Sequence, residues 1–156
     1  MQELAEPGDC GSGSVDATMG WQSVLELAAQ KVSFGSHTVN HEILPRIPLR
    51  QAESEISNSK QAIENELGKP CSLFAYPNGD ASPEIRQIVA QAGYELAFVN
   101  RPGAWLEDTD PLLIPRVNIW EGMLVGISGR FSRAALRYAA VWKVYRLARM
   151  RAELCS

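Results

Sequence analysis

"PLRQAESEISNSKQAIENELGKPCSLFAYPNGD", Pro48 to Asp80, carries the reading that decides the fold. Ala52, Ile56, Ser59, Ile63 and Leu67 recur at spacings of 4, 3, 4 and 4. That stripe predicts a helix opened by Pro48, with Gly68 and Pro70 as its stop signal. Ser72-Leu73-Phe74-Ala75-Tyr76 then reads as a buried strand, and Pro77-Asn78-Gly79-Asp80 as a turn. Ser82-Pro83 predicts a capped second helix whose apolar face is Ile85, Ile88, Val89 and Ala92, closed by Gly93. Glu95 to Val99 is a further strand, and the segments Leu112–Ile114 and Val117–Ile119 flank Pro115. Upstream, Trp21, Val24, Leu25 and Ala28 share a helical face that Lys31 ends, and Val32-Ser33-Phe34-Gly35 is strand-like. Helices alternating with short strands predict an α/β fold with parallel strands and crossover helices.

The totals are compatible with one domain. The chain has 156 residues, 46% hydrophobic and 21% charged, which excludes global disorder. A net charge of −3 does not point to nucleic acid. From Arg130 to Ser156, seven basic residues and one acid give +6, leaving −9 on the remainder. Three widely spaced cysteines without a CxxC pair indicate neither a zinc knuckle nor a disulfide framework. Cys71 reads as a small core residue. Residues 1–17 read as a polar, Gly/Ser-rich lead-in, residues 18–120 as the folded domain, and residues 121–156 as a linker followed by a basic amphipathic helix. Ser132 is expected to cap that helix, which runs to about Leu154. Packing on the parent domain is its favoured role, with contact to an anionic membrane surface or a protein partner as the alternative. No secretory leader or membrane-spanning run is visible, so the cytoplasm is the expected compartment unless translation starts upstream.

In parallel α/β folds, functional groups gather at the C-terminal ends of strands. Two polar loops occupy such ends: "GSHTVNH" after Phe34, and "PNGD" after Tyr76. The first holds both histidines of the chain, His37 and His41. Histidines four apart can chelate a divalent ion when the intervening turn brings the rings to one side. They can equally cap a helix or stand in solvent. Thr38, between them, is placed to orient a ring or cap the turn.

"SHTVNH", preceded by Trp21 and "LELAAQ" and followed by "SKQAIENELGKP", "FAYPNG" and "AGYELAF", resembles the polysaccharide deacetylase family, the NodB-homology domains of carbohydrate esterase family 4. The resemblance runs from about Thr18 to about Ile119, and its weight lies in the order of the motifs. It implies a distorted (β/α) barrel, here a partial one lacking the family's N-terminal strands. It also implies hydrolysis of N- or O-acetyl groups on an acetylated polysaccharide or oligosaccharide. The metal, commonly zinc, is held in the family by one aspartate and two histidines, which His37 and His41 match. "FAYPNG" corresponds to the motif that walls the substrate groove, giving Tyr76 and Pro77 as substrate-binding residues and the Asn78 backbone N–H as oxyanion donor. Arg116 in "IPRVNI" resembles an arginine near the family's site, while a surface arginine at a strand end is an equal reading.

The departures are equally specific. The family's two aspartates come from a "TFDDG"-type strand that is absent here. Asp9 and Asp16 lie in Gly/Ser-rich sequence that suits neither role. Ala75 stands where an arginine is frequent, and there is no third histidine to act as general acid. Two readings follow: a metal-dependent deacetylase, weak or inactive as this chain alone, or a truncated or degenerate homologue that binds glycan or a partner without turnover. Trp105 is a candidate for stacking on a sugar ring, as is Trp120, although core or rim packing is favoured for both. Asp108 and Asp110 read as an ordinary solvated loop rather than a calcium site. Asp80 reads as a turn cap.

Overall fold

A computed structural model of the protein describes residues 19–125 and 130–138. The chain divides into two compact units, residues 1–32 and 33–156. In the first, helix α1 spans Trp21–Ala29, with Val24 buried and Trp21 and Leu25 exposed. The chain leaves α1 through Lys31 at a φ of 68°.

The second unit is built on parallel backbone segments. Strand β1 (Leu73–Ala75) pairs in parallel with β2 (Leu96–Phe98), Phe74 opposite Ala97. Ser36 extends the sheet beyond β1, with its N–H donating to Leu73 O at 2.8 Å and its carbonyl accepting from Ala75 N at 2.9 Å. Ile114 extends it beyond β2, through a parallel bridge to Phe98. The expected strand-like segment before the histidines thus reduces to a single bridge at Ser36, and that bridge is what fixes the loop to β1. Gly35 is needed there because a Cβ would lie 2.9 Å from Leu73 Cβ. Val117–Ile119 forms no strand.

Helix α2 spans Leu49–Leu67, with Pro48 at its N-cap and Gly68 at its C-cap in the left-handed conformation (φ 61°). The periodic stripe behaves as predicted: Ala52, Ile56 and Ser59 are buried. Helix α3 spans Pro83–Gln91, and Ser82 Oγ accepts from Ile85 N at 3.3 Å. The two helices pack together, and Ala52, Ile56, Ile85 and Val89 meet Phe74, Tyr76, Tyr94 and Ala97 of the sheet region in one core. Cys71 is part of that core, as expected. Tyr94 donates to Ile56 O at 3.1 Å, and burial pushes its phenol up to about 12. A bidentate ion pair between Arg86 and Asp110, at 2.5 and 3.0 Å, ties α3 to the loop that enters Ile114. The Arg86 guanidinium holds the Asp110 carboxyl below the usual carboxylate range. Asp110 is therefore an anchoring residue, not the solvated one expected, whereas Asp108 is exposed.

A four-residue helix α4, Glu121–Leu124, follows. Ser132 Oγ accepts from Ala135 N at 3.2 Å, and residues 133–138 are helical, so the cap forms where the sequence places it. The rest of the expected basic helix, with its proposed surface contacts, lies outside the described residues, as do Asp9, Asp16, Cys10 and Cys155. Among the described residues no helix is long and apolar enough to cross a membrane.

Candidate metal-binding loop and its neighbours

The two histidines converge. The His37 and His41 ring centroids are 4.8 Å apart, edge to face at 75°. Both residues are exposed. His37 Nδ1 lies 2.7 Å from Ala75 O, the last carbonyl of β1. A carbonyl can only accept, so Nδ1 carries a proton, and in the neutral ring Nε2 is the nitrogen left for a ligand. A backbone oxygen behind one ring nitrogen is the usual support of a metal-bound histidine.

The loop itself is strained in a particular way. Thr38 and His41 both sit at positive φ, 70° and 57°. For a β-branched residue such as Thr38 this is a true outlier, held only because the surroundings dictate it. Thr38 Oγ1 is buried and has no hydrogen-bond partner among the described residues, so it neither caps the turn nor orients a ring.

What holds the loop is Glu55, a residue that sequence reasoning passed over as one of the charges lining α2. It is 6% exposed. Its Oε2 accepts from Val39 N at 2.9 Å and Asn40 N at 2.8 Å, and its Oε1 from Asn40 Nδ2 at 2.6 Å. Burial alone would raise its pKa. The hydrogen bonds from the Asn40 amide, the Asn40 side chain and the Val39 amide outweigh that, and hold the carboxyl below its ordinary value. Beneath it, Ser36 Oγ and Ser59 Oγ share a buried hydrogen bond of 2.6 Å. The only available signal was that Glu55 directly precedes Ile56 of the buried stripe, on the rim of the apolar face.

The second loop follows β1. Pro77–Gly79 forms a 3-10 turn in which exposed Asn78 takes a left-handed conformation (φ 56°), and its side-chain amide donates to Asp80 Oδ2 at 3.0 Å. Asp80 thus has the turn-stabilising contact expected of it. Tyr76 and Pro77 are fully buried. The Tyr76 hydroxyl donates to Leu112 O at 3.0 Å and its ring packs edge-on against Phe74, 5.1 Å between centroids. Their inward position does not suit the groove-lining role expected from the motif. Because that hydroxyl is sealed in the core, Tyr76→Phe is expected to cost about 1 kcal/mol, read as a lower urea midpoint with unchanged slope.

Arg116 turns away to β2: its Nε donates to Val99 O at 3.3 Å, and its guanidinium lies 5.9 Å from the Phe98 ring centre. None of these contacts brings it to the histidines. Trp105 and Trp120 are 59% and 64% exposed, so neither is a core residue, and of the core-or-rim reading only the rim position remains.

The sequence model of the polysaccharide deacetylases matches residues 10–97. The chain belongs to the polysaccharide deacetylase family. A Bacillus subtilis (strain 168) protein, YxkH, named for the same family, is 28% identical over 102 residues, 65% of this chain and 37% of its own length. Among solved structures, the Streptococcus pyogenes deacetylase PplD, in complex with acetate, superposes with a TM-score of 0.66 at 26% identity. That match covers 72% of this chain and 49% of PplD. The polysaccharide deacetylase BC0361 of Bacillus cereus gives 0.59 at 25% identity, over 65% of this chain and 33% of its own. This chain thus spans less than half of the length of each of these three relatives.

Among the described residues no three His, Cys, Asp or Glu side chains cluster as a metal site. The pair that does converge has the donor chemistry of two ligands of a divalent ion, one short of a catalytic zinc site. His37 has its Nδ1 satisfied and its Nε2 without a protein partner, the His41 ring stands beside it, and a hydroxyl unpartnered among the described residues lies between them in sequence.

Proposed function

We propose that this chain carries the histidine half of a metal-dependent deacetylase site, acting on N- or O-acetyl groups of a glycan. The observation that carries the reading is the 2.7 Å bond from His37 Nδ1 to Ala75 O, which presents Nε2 beside the His41 ring. His37 and His41 would hold the divalent ion, zinc in the first instance. Bound there, it would polarise the acetyl carbonyl and lower the pKa of a coordinated water. The chain's own contribution is placement. The Ala75 carbonyl sets the His37 tautomer, Glu55 sets the path of the loop, and the Asn78 turn stands beyond the same strand, where its backbone N–H can face a developing oxyanion.

A catalytic zinc takes three protein ligands, and among the described residues two side chains converge, so slow turnover is expected. Zinc titration followed by calorimetry tests the site directly. One ion should bind per chain, and His37→Ala or His41→Ala should each weaken binding by tenfold or more. Whatever acetate the chain releases from an acetylated chitooligosaccharide should disappear with a chelator and in either variant. Acetate release indifferent to both, or zinc binding indifferent to both substitutions, would overturn the proposal.

A further inference from the structure

Beside the histidine loop, a cavity of about 370 Å3 opens between three segments, each of which follows a sheet segment. The chain just after His41 contributes Arg46, the turn after β1 contributes Asn78 and Asp80, and the exit of β2 contributes Asn100 and Arg101. Its size is that of a small-ligand cleft. Arg46 and Arg101 are both exposed, and among the described residues neither guanidinium has a hydrogen-bond or ion-pair partner. The one carboxylate in the lining, Asp80, is already engaged by the Asn78 side-chain amide. None of the lining side chains is aromatic, so the cleft offers no ring on which a neutral sugar face can stack.

The surroundings sharpen this. The chain before Arg130 carries a net −9, so cations without a carboxylate partner stand out as places that favour an acidic ligand. Two unpaired guanidiniums with side-chain amides beside them form a donor-rich lining, and their forks match the oxygens of a carboxylate or phosphate.

We propose that this cleft seats an acidic group, a carboxylate or a phosphate, on a glycan unit next to the acetylated sugar, through Arg46 and Arg101. The proposal deepens the deacetylase reading and rests on it for the identity of the ligand as a glycan. The seat selects charged over neutral chains and sets which sugar is presented to the histidines.

Direct binding to the full chain tests it without turnover. The probes are neutral tetra-N-acetylchitotetraose, a tetrasaccharide alternating N-acetylglucosamine with carboxylate-bearing N-acetylmuramic acid, and N-acetylglucosamine 6-phosphate. At low salt at least one acidic probe should bind tenfold or more tighter than the neutral one, with the advantage shrinking as salt rises. The tighter of the two shows whether carboxylate or phosphate is the natural group. Arg46→Gln combined with Arg101→Gln should weaken the acidic probe about tenfold or more and leave the neutral probe unchanged. Equal affinity for neutral and acidic probes, or a double variant that keeps the preference, would overturn the seat. His37→Ala separates the two proposals. Acetate release that survives it defeats the histidine-metal reading, while the charge preference is read from binding alone.

Discussion

Glu55→Ala is expected to lower stability by about 3 kcal/mol and to loosen the loop that carries both histidines. Three donors converge on this one carboxylate at 2.6 to 2.9 Å, two of them backbone amides of the loop. Hydrogen bonds to a charged group contribute about 1.5–3 kcal/mol each. Val39 and Asn40 are exposed, so water can reach their freed donors and the loss falls short of the full sum. Glu55→Gln keeps the size and offers one acceptor oxygen, but turns an NH2 toward a donor, and should lose most of the same energy. The dependence on pH has a definite sign. The folded carboxyl lies below its ordinary value of 4.5. Its contribution is therefore fully present above that pH, and is lost as the pH falls through the folded value. Urea midpoints from neutral pH down to about 3 should show this acid limb in the wild type and a shallower one in Glu55→Gln. An unchanged slope in the variant would assign the limb to another group. Zinc affinity should fall alongside stability, since the loop that presents His37 and His41 is what Glu55 holds.

Gly79→Ala should be more damaging still. Gly79 has a φ of 77°, and a Cβ there would lie 2.1 Å from Asn100 N and 2.2 Å from Asn100 Cβ. The left-handed conformation alone costs an alanine about 1 kcal/mol. The overlap adds to this, because backbone cannot swing aside as a long side chain can. The exit of β2 would have to shift, and with it the junction between the two loops. A loss of about 4 kcal/mol or more is expected. Gly68→Ala is the matched control. Gly68 also sits at positive φ, 61°, but nothing lies within 4 Å of its Cβ position, so it should lose only about 1 kcal/mol. Denaturation of the two variants under identical conditions separates the contributions, and equal losses would show that the close approach to Asn100 is relieved cheaply.

The family was legible before the fold was seen, because its marks are local and ordered: a histidine loop, a capped helix, and a strand ending in Pro-Asn-Gly. The contacts that make those marks work were not. Glu55 lies 15 and 16 residues from its loop partners, and on a helix dense in charge nothing local separates a clamp from a solvated side chain. The burial of Tyr76 was not legible in its motif for a related reason. A three-residue strand bridged by neighbours on both sides buries residues that a motif alone suggests should face the substrate.

By itself, the sequence determined helices α2 and α3 and their ends. Apolar spacing, Ser82-Pro83 and Gly68 act within a turn or two of where they stand, so the pattern suffices. It also determined that two histidines share one loop at the end of a strand-like segment. Only the tertiary structure decided which way that loop runs. Its strained φ angles at Thr38 and His41, the Ala75 oxygen behind His37 and the Glu55 carboxylate beneath Val39 and Asn40 come from segments distant in the chain. Their positions are set by packing α2 and β1 into a single core.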